Sequence, residues 1–456
     1  MDSSVNGNSN FRFRVVAVPY PGRGHINPMM NLCKIMANRR PNNFLITFVV
    51  TEEWHGILSS EPLHANNIRF ATIPNVIPSE IGRAKDFTGF VEAVLNKMEG
   101  PVEHLLDQLE QPKPSVIIFD SFLKWGLGVA NRRNIPAASL WPMSTTCFSL
   151  LRHYESLVEN GHLPSNPVEE GDHRVTCIPG VPSIRLADFP RELLLHGTSQ
   201  TAVRIALEVV ALASKAEYLL FSSVYELESR VIDSLKAELP NPIYSIGLAI
   251  PSFNVRNRSN NDHIAWLDAQ PRSSVLYISQ GSFLSASNEQ SAEIIAGVHE
   301  SGIRFFWVDR QDISTFQASG GDTGNGVVVH WCDQLKVLCH PSIGGFWSHC
   351  GWNSTKEGAF AGLPMLTFPL AWDQYTNSKQ IVEDWKIGRR LKRDDGGLVK
   401  REEISRSLKR FMDLECDEGK EMRRRAQEIR EICRRATAEG GGSSELEIEA
   451  FIENIA

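Results

Sequence analysis

The stretch Gly344-Gly-Phe-Trp-Ser-His-Cys-Gly-Trp-Asn-Ser-Thr-Lys-Glu357 opens as a short apolar run and closes on polar residues that start helices. Read physically, a strand Gly344–Ser348 ends in His349, turns at Gly351-Trp352 and gives way to a helix opening at Asn353 or Ser354. A buried strand that feeds a helix N-terminus is the repeating unit of parallel α/β sheets. Unpaired backbone N–H groups there, flanked by hydroxyl and amide side chains, suit a diphosphate. Ser354-Thr-Lys-Glu357 also has the S-x-x-E spacing of a helix-capping box. That alternative accounts for Ser354 and Glu357 but leaves His349, Trp352 and Asn353 without a reason.

The same alternation extends in both directions. Ser274–Ser279, Arg304–Val308, Gly326–Trp331 and Met365–Pro369 read as strands around the opening stretch, with helical segments between them. In the first half, Arg14–Pro19, Phe44–Thr51, Ser115–Asp120 and Ala137–Trp141 read as buried strands. Met29, Leu32, Cys33 and Met36 mark one face of a helix after the first of these, with Pro28 at its start. Leu157–Arg185 is irregular. The Asn/Ser/Arg-rich run 251–262 is the best linker. This gives an α/β protein of two Rossmann-like domains with parallel sheets facing a cleft: residues 1–250, a linker at 251–262, residues 263–435, and a last helix at 436–456 packing back on the body. Open α/β sheets bind ligands beyond their strand C-termini, which places function in that cleft. Lys420–Arg435 reads as a solvated amphipathic helix.

Composition bounds the alternatives. Lys and Arg number 47 against 54 Asp and Glu, a net charge of −7, which argues against a nucleic-acid binder. The polar start MDSSVNGNSN has no apolar signal region, and no run reaches the roughly 18–20 apolar residues of a membrane span, so the expected location is the cytosol. Eight scattered cysteines without a C-x-x-C pair fit reduced thiols. Cys332, Cys339, His340, His349 and Cys350 crowd together, yet their spacing matches no standard zinc pattern.

Candidate chemistry clusters at strand ends. Pro21-Gly-Arg-Gly-His-Ile-Asn-Pro28 starts like a dinucleotide fingerprint, but Asn27 stands where the third glycine belongs. It places His25 in a strand-to-helix turn at the mouth of the cleft, as a catalytic or a turn-capping histidine. Asp120 ends a strand on the same edge, either as an N-cap or as the acid that orients a histidine base. Trp331 is placed to stack a flat base, or to join the core. Asp373 and Gln374 form a polar pair suited to sugar hydroxyls, or simply a loop.

The run Trp331–Gln374 resembles the signature box of plant secondary-product UDP-glycosyltransferases: W-x-x-Q, L-x-H, G-x-F-x-x-H-x-G-W-N-S-x-x-E, G-x-P and D-Q. The G-x-G-H-x-N-P turn and the strand-end Asp120 are similar to that family's N-terminal half. The resemblance implies a GT-B fold, with the acceptor in the first domain and the UDP-sugar in the second. It implies His25 as general base and Asp120 as its charge-relay partner. Trp331 is implied to stack on uracil beside the Cys332 backbone, and Gln334 and Glu357 to hold ribose. His349, Asn353, Ser354 and Ser282 fall to the phosphates, and Gly351 is counted with the donor-binding residues. Trp352, Asp373 and Gln374 fall to the sugar, and Ser144 or Thr145 lies near it, with Thr145 the choice here. Phe122, Trp125, Trp141, Met143 and Phe189 are the expected acceptor lining. Cys332-Asp333 and Gln280 depart from the family pattern.

The expected reaction is an inverting transfer of glucose from UDP-glucose to a hydroxyl or carboxyl of a small apolar acceptor, giving a β-glucoside. It needs no metal and is expected of a monomer. A terminal Gln in the box goes with glucose in this family, and a His with galactose. The rival is a nucleotide-sugar-binding protein of the same fold without turnover.

Overall fold

Phe13–Val18 (β1) and Phe44–Thr51 (β2) are buried at every position. That is what strands covered by helices on both faces require. The computed structural model describes residues 11–59, 65–80, 86–109, 112–164, 169–194, 200–248, 262–281, 286–309, 325–394 and 397–456. Of the expected linker 251–262, residues 251–261 lie outside the described residues, as does Ser282, and Asp262 already opens the helix Asp262–Asp268.

Two parallel sheets carry the molecule. The first adds Ile68–Ile73 (β3), Val116–Asp120 (β4), Ala137–Trp141 (β5), Tyr218–Phe221 (β8) and Ile243–Ser245 (β9), in the order β3-β2-β1-β4-β5-β8-β9. Arg174–Val175 (β6) and Ile184–Arg185 (β7) form a separate antiparallel ribbon. The second sheet has Val275–Ser279 (β10), Arg304–Val308 (β11), Gly326–Val329 (β12), Ile343–Ser348 (β13), Met365–Thr367 (β14) and Gly388–Arg390 (β15), ordered β12-β11-β10-β13-β14-β15. In both, strand order reverses beside the first strand of the set. Val15 pairs with Ile46 on one side and Val116 on the other, and Tyr277 pairs with Phe306 and Phe346. Those reversals open a crevice at the strand C-termini.

Two local expectations are corrected. The first helix spans Arg23–Arg39, so Pro28 sits inside it rather than at its start. The helix begins one turn earlier because Gly22, extended at φ −158°, already occupies the cap. The opening stretch likewise starts its helix at Trp352 with Gly351 as cap, so Ser354 and Glu357 are interior residues and no capping box forms.

The last helix, Ser443–Ile455, buries Ile448, Phe451, Ile452 and Ile455 in the core of the first domain, beside Phe13, Met36, Phe44 and Tyr244. Phe451 lies 5.5 Å from the Tyr244 ring, and Asn454 donates to the Tyr244 hydroxyl at 2.9 Å. The chain therefore crosses between the domains a second time. The basic helix Asp417–Ala436 buries Met422, Ala426 and Cys433 and pairs Arg424 and Arg425 with Glu421 on its outer face.

Candidate active site

At the first sheet's reversal, β1 delivers the chain through Pro19–Gly22 into the helix that carries His25, and β4 ends on Asp120. His25 Nδ1 lies 2.9 Å from Asp120 Oδ2. Asp120 is fully buried, and its other oxygen accepts the Phe122 N–H at 3.0 Å. The helix that follows starts at Gly126, so Asp120 pins a turn and the imidazole rather than capping that helix. A carboxylate only accepts, so Nδ1 carries the hydrogen of this bond and Nε2 is the nitrogen left to meet a ligand. Tyr20 and Phe122 flank the ring at 4.9 and 5.4 Å, and the His25 side chain keeps 25% of its surface exposed. A partly exposed imidazole oriented by a buried carboxylate has the chemistry to serve as a general base.

The expected acceptor wall divides. Phe122 and Met143 retain exposed surface, and Phe122 stacks on Trp141 at 5.5 Å. Trp141 and Phe189 are 0% exposed and belong to the core, a correction to their reading as lining. Trp125 is buried too. Its indole N–H donates to the Val94 carbonyl, and that of Trp141 to the Ser144 carbonyl, so both rings are committed to structure.

In the second domain, Trp331 is 48% exposed just beyond β12, a bare aromatic face at the cleft. Cys332 turns its sulfur inward to 3.5 Å from the Tyr277 hydroxyl. Asp333, the departure from the family pattern, caps the short helix Gln334–Leu338 by accepting the Lys336 N–H. Gln334 Nε2 donates to Ser354 Oγ at 3.0 Å and Glu357 Oε2 at 2.8 Å, while its Oε1 accepts the Tyr277 hydroxyl. Gln334, Ser354 and Glu357 are thus brought together.

His349 stands at the second sheet's reversal. An added Cβ on Gly281 or Gly351 would collide with its Nε2, and Gly281 adopts φ +85°, so two glycines cradle the ring. Burial pushes its pKa down to about 4, and Nδ1 is buried without a partner. The ring is therefore neutral at pH 7, with one nitrogen a donor and the other an acceptor. The departure at Gln280 leaves its side-chain nitrogen buried without a partner. Beyond His349, the helix Trp352–Ala361 begins, and its first N–H groups lack intrahelical acceptors. Asn353 Nδ2 reaches the Gly24 carbonyl of the first domain at 2.7 Å. The Trp352 ring is buried between the domains, donating to the Ser222 carbonyl at 2.7 Å, which leaves only its backbone for a ligand.

Asp373 and Gln374 are tightly held. Gln374 Oε1 accepts the Leu370 and Ala371 N–H groups at 2.7 and 3.2 Å, so its amide NH2 is what remains for a ligand. Asp373 Oδ2 accepts Asn377 Nδ2 at 2.7 Å, and burial lifts its pKa from 3.8 to about 6. Trp372 holds φ +51°, a left-handed conformation fixed by its N–H donating to Glu192 of the first domain at 3.1 Å. Ser144 spends its hydroxyl on the Cys147 N–H as a helix cap, whereas the Thr145 hydroxyl is buried without a partner.

Sequence reading missed Ser222, Glu228, Lys356 and Gln380, which join the domains beneath this site. Lys356 Nζ donates to Ser222 Oγ, and burial lowers its pKa to about 7. Nothing in the local sequence of these residues marks them, because each pairs with a residue far along the chain. Among the described residues, no cluster of three His, Cys, Asp or Glu could hold a metal. No described helix is long and apolar enough to cross a membrane.

Glu357 yields a pH-dependent test. Burial raises its pKa from 4.5 to about 7, so the folded state holds a proton the unfolded chain has lost, and stability falls as pH rises across that window. Glu357→Gln is expected to raise the thermal midpoint at pH 8 and to lose that gain near pH 4. Thermal melts at both pH values check this; an equal shift at each would contradict it.

The family model described as UDP-glucoronosyl and UDP-glucosyl transferase matches residues 85–406. UDP-glycosyltransferase 87A1 of Arabidopsis thaliana is 50% identical over 445 residues, covering 96% of this chain and 99% of that protein. The 7-deoxyloganetin glucosyltransferase of Catharanthus roseus is 32% identical over 476 residues, covering 96% and 95%. Among solved structures, Phytolacca americana UGT2 complexed with UDP-2-fluoro-glucose and pterostilbene superposes with a TM-score of 0.80 at 28% identity, covering 97% of this chain and 99% of that one.

Proposed function

Because the chain belongs to the UDP-glucoronosyl and UDP-glucosyl transferase family and has the GT-B architecture, we propose that it moves glucose from UDP-glucose to a hydroxyl or carboxyl of a small apolar acceptor, with inversion at C1. The observation that carries this reading is the His25–Asp120 pair at 2.9 Å, facing the cleft across from the Trp331–Gln374 box. His25 Nε2 takes the acceptor proton as its oxygen attacks, and Asp120 steadies the imidazolium that forms. Trp331 stacks on uracil, Gln334 and Glu357 hold ribose, and Asp373 and the Gln374 amide hold the sugar. Neutral His349 and the N–H groups of Trp352, Asn353 and Ser354 receive the diphosphate.

Donor choice follows from Gln374. Its NH2 donates to sugar hydroxyl oxygens, and a misplaced hydroxyl leaves a buried donor unpaired at about 1–3 kcal/mol. UDP-glucose is expected to exceed UDP-galactose by roughly tenfold in kcat/KM. Equal use of both would contradict the assignment.

The test is incubation with UDP-glucose and a mixed panel of phenols and alcohols, following UDP release with and without EDTA. UDP release that depends on acceptor and survives EDTA supports the reading. Binding without release marks a non-catalytic nucleotide-sugar binder, and activity restored only by Mg²⁺ or Mn²⁺ would sink the metal-free arrangement.

A further inference from the structure

We propose that Asn353 is a positioning residue that couples the donor diphosphate to the placement of His25, by holding the carbonyl of the residue just before the base. This rests on the function proposed above. Inside an α-helix the Gly24 carbonyl would accept the N–H of residue 28, but Pro28 has none, and its ring crowds that same carbonyl. The helix Arg23–Arg39 contains Pro28 in its interior, so the Gly24 oxygen is left without its helical donor. Asn353 of the other domain supplies one at 2.7 Å. A carbonyl only accepts, so the nitrogen of the Asn353 amide must face Gly24.

That nitrogen carries two hydrogens, and Gly24 uses one. Asn353 is the second residue of the helix Trp352–Ala361, at the end whose N–H groups are proposed above to receive the diphosphate. A phosphate oxygen taking the second hydrogen would fix the amide plane. The Gly24 carbonyl, and with it His25, would then be held in one place relative to the donor. Domain alignment and base placement become one event. Small misplacement of a base matters, because proximity and orientation are steep terms in rate.

The test is a double-mutant cycle on an acidic phenol, an acceptor on which His25→Ala is expected to keep measurable turnover because it needs less help from a base. Asn353→Ala is expected to lower kcat roughly tenfold with KM for UDP-glucose changed less than about threefold, and to do little once His25 is already alanine. Pro28→Ala, which restores a competing N–H without touching the donor site, should lower kcat in the same direction and more mildly. Equal Asn353→Ala losses in both backgrounds, or a loss wholly in KM, would overturn the coupling and leave a phosphate contact alone. A second readout needs no turnover: in histidine-labelled protein, saturating UDP should shift the His25 ring signals in the wild type and in Asn353→Ala should not. A shift preserved in Asn353→Ala overturns the inference. A wild type that binds no UDP overturns the functional reading beneath it.

Discussion

Replacing His25 with alanine is expected to cut kcat/KM for an aliphatic alcohol by about 10²–10⁴-fold, the usual worth of a positioned general base. UDP affinity should stay nearly unchanged, since the residues proposed to hold UDP itself belong to the other domain. Asp120→Ala should be milder and acceptor-dependent. Without the carboxylate on Nδ1 the imidazole is a weaker base, which an acidic phenol or a carboxylic acid tolerates better than an alcohol does. Asp120 also holds the Phe122 N–H, so Asp120→Asn, which keeps a turn acceptor, separates lost basicity from a lost turn. Measuring kcat/KM for these variants across acceptors of rising pKa checks the assignment. Wild-type turnover of an alcohol by His25→Ala would show that the base lies elsewhere, and loss of UDP binding would make His25 structural.

The largest stability effect is expected at Glu228. Its side chain is buried where its helix kinks, at φ −134°, and accepts five donors. These are the Thr145 and Thr146 N–H groups at 2.9 Å, the Thr146 and Ser223 hydroxyls at 2.7 and 2.6 Å, and Gln380 Nε2 at 2.8 Å. The first two are free N–H groups at the start of the helix Thr145–Glu159, where a negative charge is favoured. Gln380 comes from the second domain, so one carboxylate closes a helix end and a domain junction together. Glu228→Ala leaves these donors without their acceptor, at an expected cost of about 3–5 kcal/mol. Glu228→Gln should also destabilise, because its NH2 must face donors. Urea unfolding monitored in both domains reads the loss. A shift below about 1 kcal/mol would mean that water replaces the carboxylate at little cost.

The sequence was most legible where function is local. Phe44–Thr51, Ala137–Trp141 and Arg304–Val308 appear with the boundaries their apolar runs predict, because strands buried on both faces carry an unbroken hydrophobic signal. β15 escaped notice since Gly388-Arg-Arg has no apolar pattern; it is an edge strand held by pairing with β14. Gln334, Ser354 and Glu357 were readable as members of one spaced box. Their mutual hydrogen bonds were not, and these replace the capping box that spacing alone allowed. Trp141 and Phe189 show the opposite limit. An aromatic near a cleft looks the same in sequence whether it lines the cleft or fills the core behind it. Contacts between distant segments, such as Asn353 with Gly24 or Gln380 with Glu228, leave no local trace at all.

The most direct measurement of the central claim is the anomeric configuration of the sugar in the product, read by proton NMR alongside the UDP released. One displacement at C1, with His25 drawing the proton from the acceptor and the helix end at Trp352–Ser354 receiving the diphosphate, predicts a β-glucoside formed in step with UDP from the α-linked donor. An α-linked product, or a sugar held covalently on the protein while UDP departs, would contradict it.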